Sequence, residues 1–281
     1  MIVLTERYLI AIDLDGTLLQ DNRQISEYSK EVIKELIEKG HHVVIATGRS
    51  NRMSILYYHE LGLTTPLINS NGAVIHHPKD KSWGAYHYPL DMKTAKDIIE
   101  ISASLQSKNL LAAVHDNVIV EHFDEHIIDF YESGNKDSGI VTIGSLKDKL
   151  IEDPTLMLVY PHIDQLDKLT DYLNVIHAEA IDHRNWGEPF HIIEIMNKSM
   201  NKAIALKKVA DYYGVPRERI IAFGDESNDL HMLEYAGIGV AMENGVEAAK
   251  NVADQVTKSN EEDGVALFLA EYFNLKRTIE V

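Results

Sequence analysis

The sequence contains no cysteine among its 281 residues. This absence excludes disulfide bonds, thiolate zinc sites, iron–sulfur clusters and a cysteine nucleophile. It fits a reducing compartment. No apolar run approaches the ~18 residues of a membrane-spanning helix. The start of the chain also lacks the basic stretch and the long apolar segment of a signal peptide. The sequence therefore predicts a cytoplasmic protein that is not bound to a membrane.

Basic residues are scarce relative to acidic ones, with 27 Lys and Arg against 44 Asp and Glu and a formal net charge of −17. A surface of this sign repels phosphate backbones and anionic lipid, so nucleic-acid and membrane-surface binding are disfavoured. An anionic substrate would need a local site that overrides this field. The 45% hydrophobic and 25% charged residues are typical of a globular protein. At roughly 150 residues per domain, the length predicts about two domains.

Short apolar runs alternate with amphipathic helical patterns near both ends of the chain. The runs at 8–12 and 42–46 are typical of strands buried on both faces of a parallel sheet, and a third strand is predicted at 66–69. The alternation returns with runs at 192–195, 220–223 and 237–241, and the tail at 261–273 is amphipathic. This order predicts an α/β fold with a Rossmann-like, doubly wound parallel-sheet core.

The middle of the chain has a different pattern. Strands are predicted at 86–90, 110–114, 118–120, 156–160 and 175–181, with helices at 93–105, 125–131 and 163–173. His115-Asp116-Asn117 separates two apolar runs and is typical of a hairpin, so part of this sheet is expected to be antiparallel. We therefore expect a core made of residues 1–82 and 190–281, interrupted by an α+β insert at 83–189.

Two carboxylates leave the carboxyl end of the first predicted strand, in the segment Asp13-Leu14-Asp15-Gly16-Thr17-Leu18. Open α/β sheets bind ligands at this end, and side chains at i and i+2 of an extended chain point the same way. Two close carboxylates imply a shared proton or a divalent metal. The alternative is an ordinary surface turn, where Asp and Gly are common.

A second acidic segment, Gly224-Asp225-Glu226-Ser227-Asn228-Asp229, directly follows the strand predicted at 220–223. Asp225 is placed to join Asp13 around Mg²⁺, which prefers oxygen ligands. Asn228 and Asp229 fall in the first turn of the next helix, where the helix dipole favours anions. Read alone, the segment is equally typical of a helix N-cap with an acidic first turn.

Two further segments are weak signals alone and become informative when they are considered together with the two acidic segments. Thr47-Gly48-Arg49 ends a predicted strand and combines a hydroxyl, flexible backbone and a helix start, which together suit a phosphate. Lys202 follows the strand predicted at 192–195 and begins a helix. Lysines in such positions are mostly solvated.

In this order, the four segments resemble the motifs of the haloacid dehalogenase superfamily, and Asn71-Gly72-Ala73 resembles its Cof-type branch. The resemblance implies Mg²⁺ as cofactor and makes the insert, which lies between the second and third motifs, a C2-type cap for substrate specificity. Ala203 departs from the branch, which usually has glycine after the lysine, so Lys198 stays an alternative to Lys202. The catalytic residues implied are Asp13, Asp15, Thr47 and Lys202. The residues implied for phosphate binding are Leu14, Thr47, Gly48, Lys202 and Asn228, the last contacting either the phosphate or a water on the metal. The metal ligands implied are Asp13, Asp15 through its main-chain carbonyl, Asp225 and Asp229, the last direct or through other groups.

The resemblance implies hydrolysis of small phosphorylated metabolites through an aspartyl-phosphate on Asp13. Some Cof-type phosphatases of bacilli act on 5-amino-6-(5-phospho-D-ribitylamino)uracil, and broad activity on sugar phosphates, nucleotides and flavin mononucleotide is the rival expectation. A phosphohexomutase of the phosphomannomutase type is an alternative, but it calls for cap arginines and the insert holds only Arg184. A non-catalytic phosphometabolite sensor is a third. We expect a monomer or a weak homodimer.

Overall fold

The computed structural model describes residues 6–132, 139–188 and 191–275. The chain forms two compact units. The first comprises Met1–Gly48, Leu56–Ala85 and Asn201–Val281, and the second comprises Arg49–Ile55 and Tyr86–Met200. Along the chain, the long segment of the second unit therefore lies between the second and third sequence motifs.

The strands and helices of the described residues are as follows. The strands are β1 Leu9–Ile12, β2 His42–Ile45, β3 Leu67–Asn69, β4 Val74–His76, β5 Ala85–His87, β6 Asn109–Val114, β7 Asn117–Val120, β8 Val141–Ile143, β9 Leu156–Tyr160, β10 Ile181–Asn185, β11 Ile193–Asn197, β12 Ile220–Gly224, β13 Ile238–Met242 and β14 Gln255–Thr257. The helices are α1 Glu27–Glu38, α2 Asn51–Glu60, α3 Met92–Ser104, α4 Glu125–Glu132, α5 Leu146–Lys149, α6 Leu166–Ile176, α7 Lys202–Tyr213, α8 Leu230–Tyr235, α9 Glu247–Val252 and α10 Gly264–Tyr272. Within the described ranges, no helix is both long enough and apolar enough to cross a membrane.

A five-stranded parallel sheet forms the centre of the first unit, in the order β14-β13-β12-β1-β2. All four residues of β1 are buried, as expected for a strand covered on both faces. In register, Ile12 of β1 lies between Ile45 of β2 and Phe223 of β12. The loops after these three strands therefore leave the sheet side by side. The prediction of a Rossmann-like parallel core is confirmed.

Capping residues fix where the helices of the first unit begin. The Ser26 side chain accepts from the Ser29 amide at the start of α1, which buries Val32, Ile33 and Leu36. Helix α7 begins after Asn201, whose side chain accepts from the Ile204 amide, and it ends at Gly214, in a left-handed conformation. Because Asn201 caps α7, Lys202 is the first helical residue.

Two predictions for the first unit need correction. Strand β3, expected as a third strand of the parallel sheet, instead pairs antiparallel with β4 in a separate sheet of order β3-β4-β5. One isolated parallel bridge, Ala46–Ile68, joins it to the end of β2. The amphipathic pattern expected over 261–273 is interrupted, because left-handed Asp263 separates a 3₁₀ turn at Asn260–Glu262 from α10.

A six-stranded mixed sheet in the order β10-β11-β9-β6-β7-β8 forms the second unit. Leu110, Ala112, Met157 and Val159 point to the face covered by α3, α5 and α6, while Leu111 points to the other face. The predicted hairpin is present, since β6 and β7 pair antiparallel around His115-Asp116. The insert is therefore α+β, as predicted.

The domain boundary expected at residue 190 places strand β11 in the wrong unit. The apolar run at 192–195 was expected in the core, yet β11 pairs with β9 and β10 in the sheet of the second unit. The strand expected at 175–181 is also wrong, because α6 continues to Ile176 and β10 begins only at Ile181. The division of the chain into a catalytic and a specificity domain stays a prediction.

Candidate active site

Asp13 and Lys202 form a buried ion pair at the carboxyl end of the parallel sheet. Asp13 follows β1, and its amide donates to the Phe223 carbonyl of the neighbouring strand at 3.2 Å. Its Oδ1 accepts from Lys202 Nζ at 2.7 Å. Lys202 is completely buried and Asp13 is 5% exposed. Since Asp13 and Lys202 are 189 positions apart, the fold alone brings them together.

Asp229 holds Lys202 from the other side. Its Oδ1 accepts from Lys202 Nζ at 2.7 Å, and its Oδ2 accepts from the amides of Asp225 and Glu226, both at 3.1 Å. Asp229 is completely buried. These three polar contacts fix the carboxylate as a partner of the lysine and of the loop after β12. One carboxylate oxygen of each of Asp13, Asp225 and Asp229 lies within 4.8 Å of the others.

The turn after β1 fits closely against Asp225. Gly16 has φ +72°, and a Cβ there would lie 2.2 Å from Asp225 Oδ2, so only glycine is accommodated. The buried Thr17 hydroxyl donates to Asp225 Oδ1 at 2.8 Å. Asn244, in the loop after β13, donates from Nδ2 to the Gly16 carbonyl at 2.7 Å. The turn and the Asp225 loop are thereby held in one arrangement.

The surroundings of Asp13, Asp225 and Lys202 shift the pKa values of all three groups. Burial raises the pKa of Asp13 well above its usual range, with Lys202 opposing and the neighbouring carboxylates adding to the shift. Burial and then Asp229 raise the pKa of Asp225 to about 7. Burial opposes the charge of Lys202, but the attraction of Asp13 and Asp229 keeps its pKa above the ordinary value. Three carboxylates face one ammonium, so the site carries excess negative charge that a divalent cation would neutralise.

The donor set matches a hard divalent cation. Asp13, Asp225 and Asp229 offer only carboxylate oxygens, the ligands that Mg²⁺ and Ca²⁺ prefer, and neither cysteine nor histidine belongs to the group. The raised pKa values of Asp13 and Asp225 reflect crowded carboxylates, which a bound cation would stabilise in their charged form. These residues therefore fit a bound metal.

The predicted phosphate-binding residues Thr47 and Asn228 are linked through a third residue. Thr47 is 1% exposed, and its carbonyl accepts from the Asn71 amide at 3.0 Å. Asn71 Oδ1 in turn accepts from Asn228 Nδ2 at 2.8 Å. Since Ala46, which precedes Thr47, donates its amide to the Ile12 carbonyl of β1, the Thr47-Gly48 loop lies beside the Asp13 turn.

The other predicted residues are placed as follows. Asp15 has an exposed side chain and does not belong to the three-carboxylate group, and its main-chain metal contact stays a prediction. Leu14 has a buried side chain within the same turn. Lys198, the alternative to Lys202, is exposed in the second unit and donates to the Ala178 carbonyl at 2.6 Å.

Sequence reasoning did not assign roles to Thr17, Asn71 and Asn244. Thr17 lies inside the first motif, and its position after Gly16 was the only signal. Asn71 stood out as part of a resembling segment, without a stated partner. Asn244 bonds across the fold to a carbonyl 228 positions away, and nothing local in the sequence indicates such a contact.

Enzymes that transfer phosphoryl groups through an aspartate use a set of groups like this one. A buried carboxylate is bonded to a buried lysine, beside carboxylates that could hold a metal and a loop that bears a hydroxyl. The chain belongs to the haloacid dehalogenase-like hydrolases, whose family model matches residues 10–269. It is an enzyme of the phosphatase class within that family. The resemblance inferred from the four motifs is confirmed.

Three similar proteins illustrate the relationship. The chain is 52% identical to the 5-amino-6-(5-phospho-D-ribitylamino)uracil phosphatase YitU of Bacillus subtilis, over 96% of this chain and 99% of that protein. It is 33% identical to a second 5-amino-6-(5-phospho-D-ribitylamino)uracil phosphatase of Bacillus subtilis, YwtE, over 92% of this chain and 96% of that protein. A haloacid dehalogenase-like hydrolase from Bacteroides thetaiotaomicron has 25% identity, with a TM-score of 0.82 over 95% of this chain and 100% of that one.

Proposed function

We propose that this protein hydrolyses small phosphate monoesters with Mg²⁺ through an aspartyl-phosphate on Asp13. The observation that carries the proposal is the Asp13–Lys202–Asp229 arrangement, buried and next to Asp225. A carboxylate at the end of a central strand, held at 2.7 Å by a buried ammonium, is a positioned nucleophile rather than a surface acid. The filled chemical positions disfavour the alternative of a non-catalytic sensor.

The residues that would hold the cation are Asp13 and Asp225, with Asp229 close by and the main chain of Asp15 completing the set. When bound, Mg²⁺ supplies positive charge that offsets the repulsion between a carboxylate nucleophile and a phosphate dianion. Lys202 adds a second positive charge on the same carboxylate. The choice of Mg²⁺ over other hard cations rests on the family resemblance.

Each protein group has a defined task in this proposal. Asp13 attacks phosphorus and carries the phosphoryl group as a mixed anhydride. Asp15, whose side chain reaches solvent, protonates the leaving oxygen and then accepts a proton from the hydrolytic water. Lys202, the Thr47 hydroxyl and the amides of Leu14 and Gly48 stabilise the phosphoryl oxygens as charge develops.

As the substrate we propose 5-amino-6-(5-phospho-D-ribitylamino)uracil. Two relatives that match nearly the whole chain carry this activity in their names, one at 52% identity. The second unit, which we propose as the cap, would read the leaving group. Trp186 is 40% exposed there and donates from Nε1 to Glu194 at 3.2 Å, leaving part of its ring open to a flat ligand.

A phosphate-release screen over some tens of metabolites with Mg²⁺, ranked by kcat/KM, tests both levels of the proposal. The proposed substrate and other ribityl phosphates should rank above hexose phosphates. If ribityl phosphates and hexose phosphates ranked equally, the proposed substrate would be rejected and the proposed phosphatase activity would stand. Absence of phosphate release from any compound would remove the hydrolytic function itself.

A mutase is less well supported than a hydrolase. A phosphohexomutase needs a second phosphate site, and Arg184 is the single arginine between residues 83 and 189. The second unit also contains Arg49 and Arg52, but Arg52 is buried and donates to the Gly139 carbonyl at 3.1 Å. Arg184 is already bonded to the buried Glu194 at 2.9 Å. Phosphate release without a bisphosphate activator would separate the two activities. A cytoplasmic location, and a monomer or weak homodimer that binds neither nucleic acid nor membrane, stay predictions.

A further inference from the structure

The turn Ser70–Gly72 has an unusual backbone. It follows β3, and its three residues have φ values of 47°, 52° and 97°. A left-handed conformation is unfavourable for a residue with a side chain, and asparagine tolerates it best. Two consecutive non-glycine residues in this region, both buried, indicate that contacts elsewhere hold the turn.

Those contacts reach the loops that carry the candidate catalytic residues. The Asn71 amide donates to the Thr47 carbonyl at 3.0 Å, and Asn71 Oδ1 accepts from Asn228 Nδ2 at 2.8 Å. Gly72 lies against the start of α7, since a Cβ there would be 2.5 Å from the Asn201 carbonyl. Lys202 is the next residue. The turn therefore touches the loops after β2 and β12 and the residue before the buried lysine.

The bond to Asn71 determines which way the Asn228 amide faces. A carboxamide has one donor end and one acceptor end, and Asn71 Oδ1 accepts only. With its nitrogen turned to Asn71, Asn228 presents Oδ1 away from that residue. This Oδ1 is buried and has no hydrogen-bond partner among the described residues. Leaving a buried acceptor unsatisfied is costly, so the atom requires a donor from outside the described residues.

We infer that Asn71 is a positioning residue, which orients Asn228 so that its carbonyl oxygen accepts from a water on the bound metal. Asn228 adjoins Asp229, one of the three clustered carboxylates. A metal-bound water is a strong donor, and groups that bond to such ligands tune metal affinity by about 10–100-fold. The inference rests on the proposed metal-dependent function and gives Asn228 an accepting role, distinct from donation to a phosphoryl oxygen.

Asn71→Gly and Asn71→Asp separate this role from a structural one. Glycine adopts φ 52° without strain and removes the carboxamide. Aspartate also tolerates this conformation and keeps an oxygen that accepts from Asn228. Ser70→Gly is the matched control, since it relaxes the neighbouring left-handed residue and leaves the Asn71–Asn228 bond in place.

Mg²⁺ binding to the substrate-free protein, measured by calorimetric titration, is the main readout, with kcat and KM measured in parallel. We expect Asn71→Gly to weaken Mg²⁺ binding about tenfold and to lower kcat similarly with little change in KM. Asn71→Asp should stay within threefold of the wild type, and Ser70→Gly should match it. In an Asn228→Ala background, Asn71→Gly should add little, because its effect passes through Asn228.

Three results would overturn the inference. One is Mg²⁺ binding by Asn71→Gly within twofold of the wild type. Another is an equal loss of Mg²⁺ binding in Asn71→Gly and Asn71→Asp. That result would mean that Asn71 donates to Asn228, so that the Asn228 carboxamide faces the opposite way. The third is misfolding of Asn71→Gly together with weak Mg²⁺ binding by a folded Asn71→Asp. If the wild type itself binds no Mg²⁺, the proposed function fails instead.

Discussion

Replacing Lys202 by methionine should destabilise the first unit strongly and in a pH-dependent manner. Methionine fills similar volume but leaves Asp13 and Asp229 facing each other with no ammonium between them. Removing one partner of a buried ion pair costs about 3–5 kcal/mol. Lys202 and Asp229 are fully buried, so solvent offers little screening and the upper part of this range is expected near pH 8.

The loss of stability caused by Lys202→Met should become smaller as the pH falls. Burial already raises the pKa of Asp13, and Lys202 is the main group that opposes this shift. Without Lys202 the folded-state pKa of Asp13 rises further above its unfolded value. The folded variant then binds a proton that the unfolded chain releases, and its stability declines as the pH rises through the folded pKa. The difference from the wild type should therefore be smaller at pH 5.5 than at pH 8.

Tryptophan fluorescence permits a measurement specific to the first unit. The chain has two tryptophans, Trp83 in the first unit and Trp186 in the second. In a Trp186→Phe background, guanidinium unfolding with a chelator at both pH values reports on Trp83. Lys207→Met is the control, because Lys207 lies on the same helix, is exposed and pairs with the exposed Asp211. This substitution should cost less than ~0.5 kcal/mol. A loss below 1 kcal/mol for Lys202→Met, or one independent of pH, would refute the reasoning.

Three further predictions concern the carboxylates. Asp13→Asn should lower kcat about 10³-fold or more, because an amide is a poor nucleophile, and a variant with more than a tenth of the wild-type rate would contradict this. Thr17→Val preserves shape but removes the donor to Asp225, so calorimetry should show Mg²⁺ binding about tenfold weaker, and unchanged binding would count against that role. The pKa of Asp225, raised to about 7, means that the metal-free folded protein holds a proton that the unfolded chain loses near pH 4. Between roughly pH 4 and 7 the wild type should therefore lose about 4 kcal/mol of stability relative to Asp225→Asn in chelator. Parallel denaturation profiles for the two proteins would contradict this prediction.

The position of the candidate site was predictable because parallel strands share a direction. Asp13, Thr47 and Asp225 each follow an apolar run, and neighbouring parallel strands bring their carboxyl ends to one edge. The pairing of Lys202 with Asp13 needed the family resemblance, since a lysine at a helix start has no local feature that distinguishes it. The Asn71–Asn228 bond was beyond sequence reasoning, because it depends on the geometry of a left-handed turn.

The sequence predicted most apolar runs as strands more reliably than it predicted which sheet each strand joins. The segment at 192–195 has the composition of a buried strand in either unit, and only pairing with β9 and β10 assigns it. Val175 and Ile176 favour a strand by propensity, yet they are 76% and 55% exposed near the end of α6. There the amphipathic pattern of the preceding residues outweighs the preference of two β-branched side chains.

The central position of β1 has a consequence for biosynthesis. This strand is synthesised well before its partner β12, which begins only at Ile220. Until then, the β1 edge that will meet β12 is an unpaired row of amides and carbonyls, able to bind a wrong strand. At about 5–20 residues per second, translation from β1 to β12 takes on the order of ten seconds or more. The nascent chain therefore needs protection of this edge, by a chaperone or by the ribosome surface, until β12 has been made.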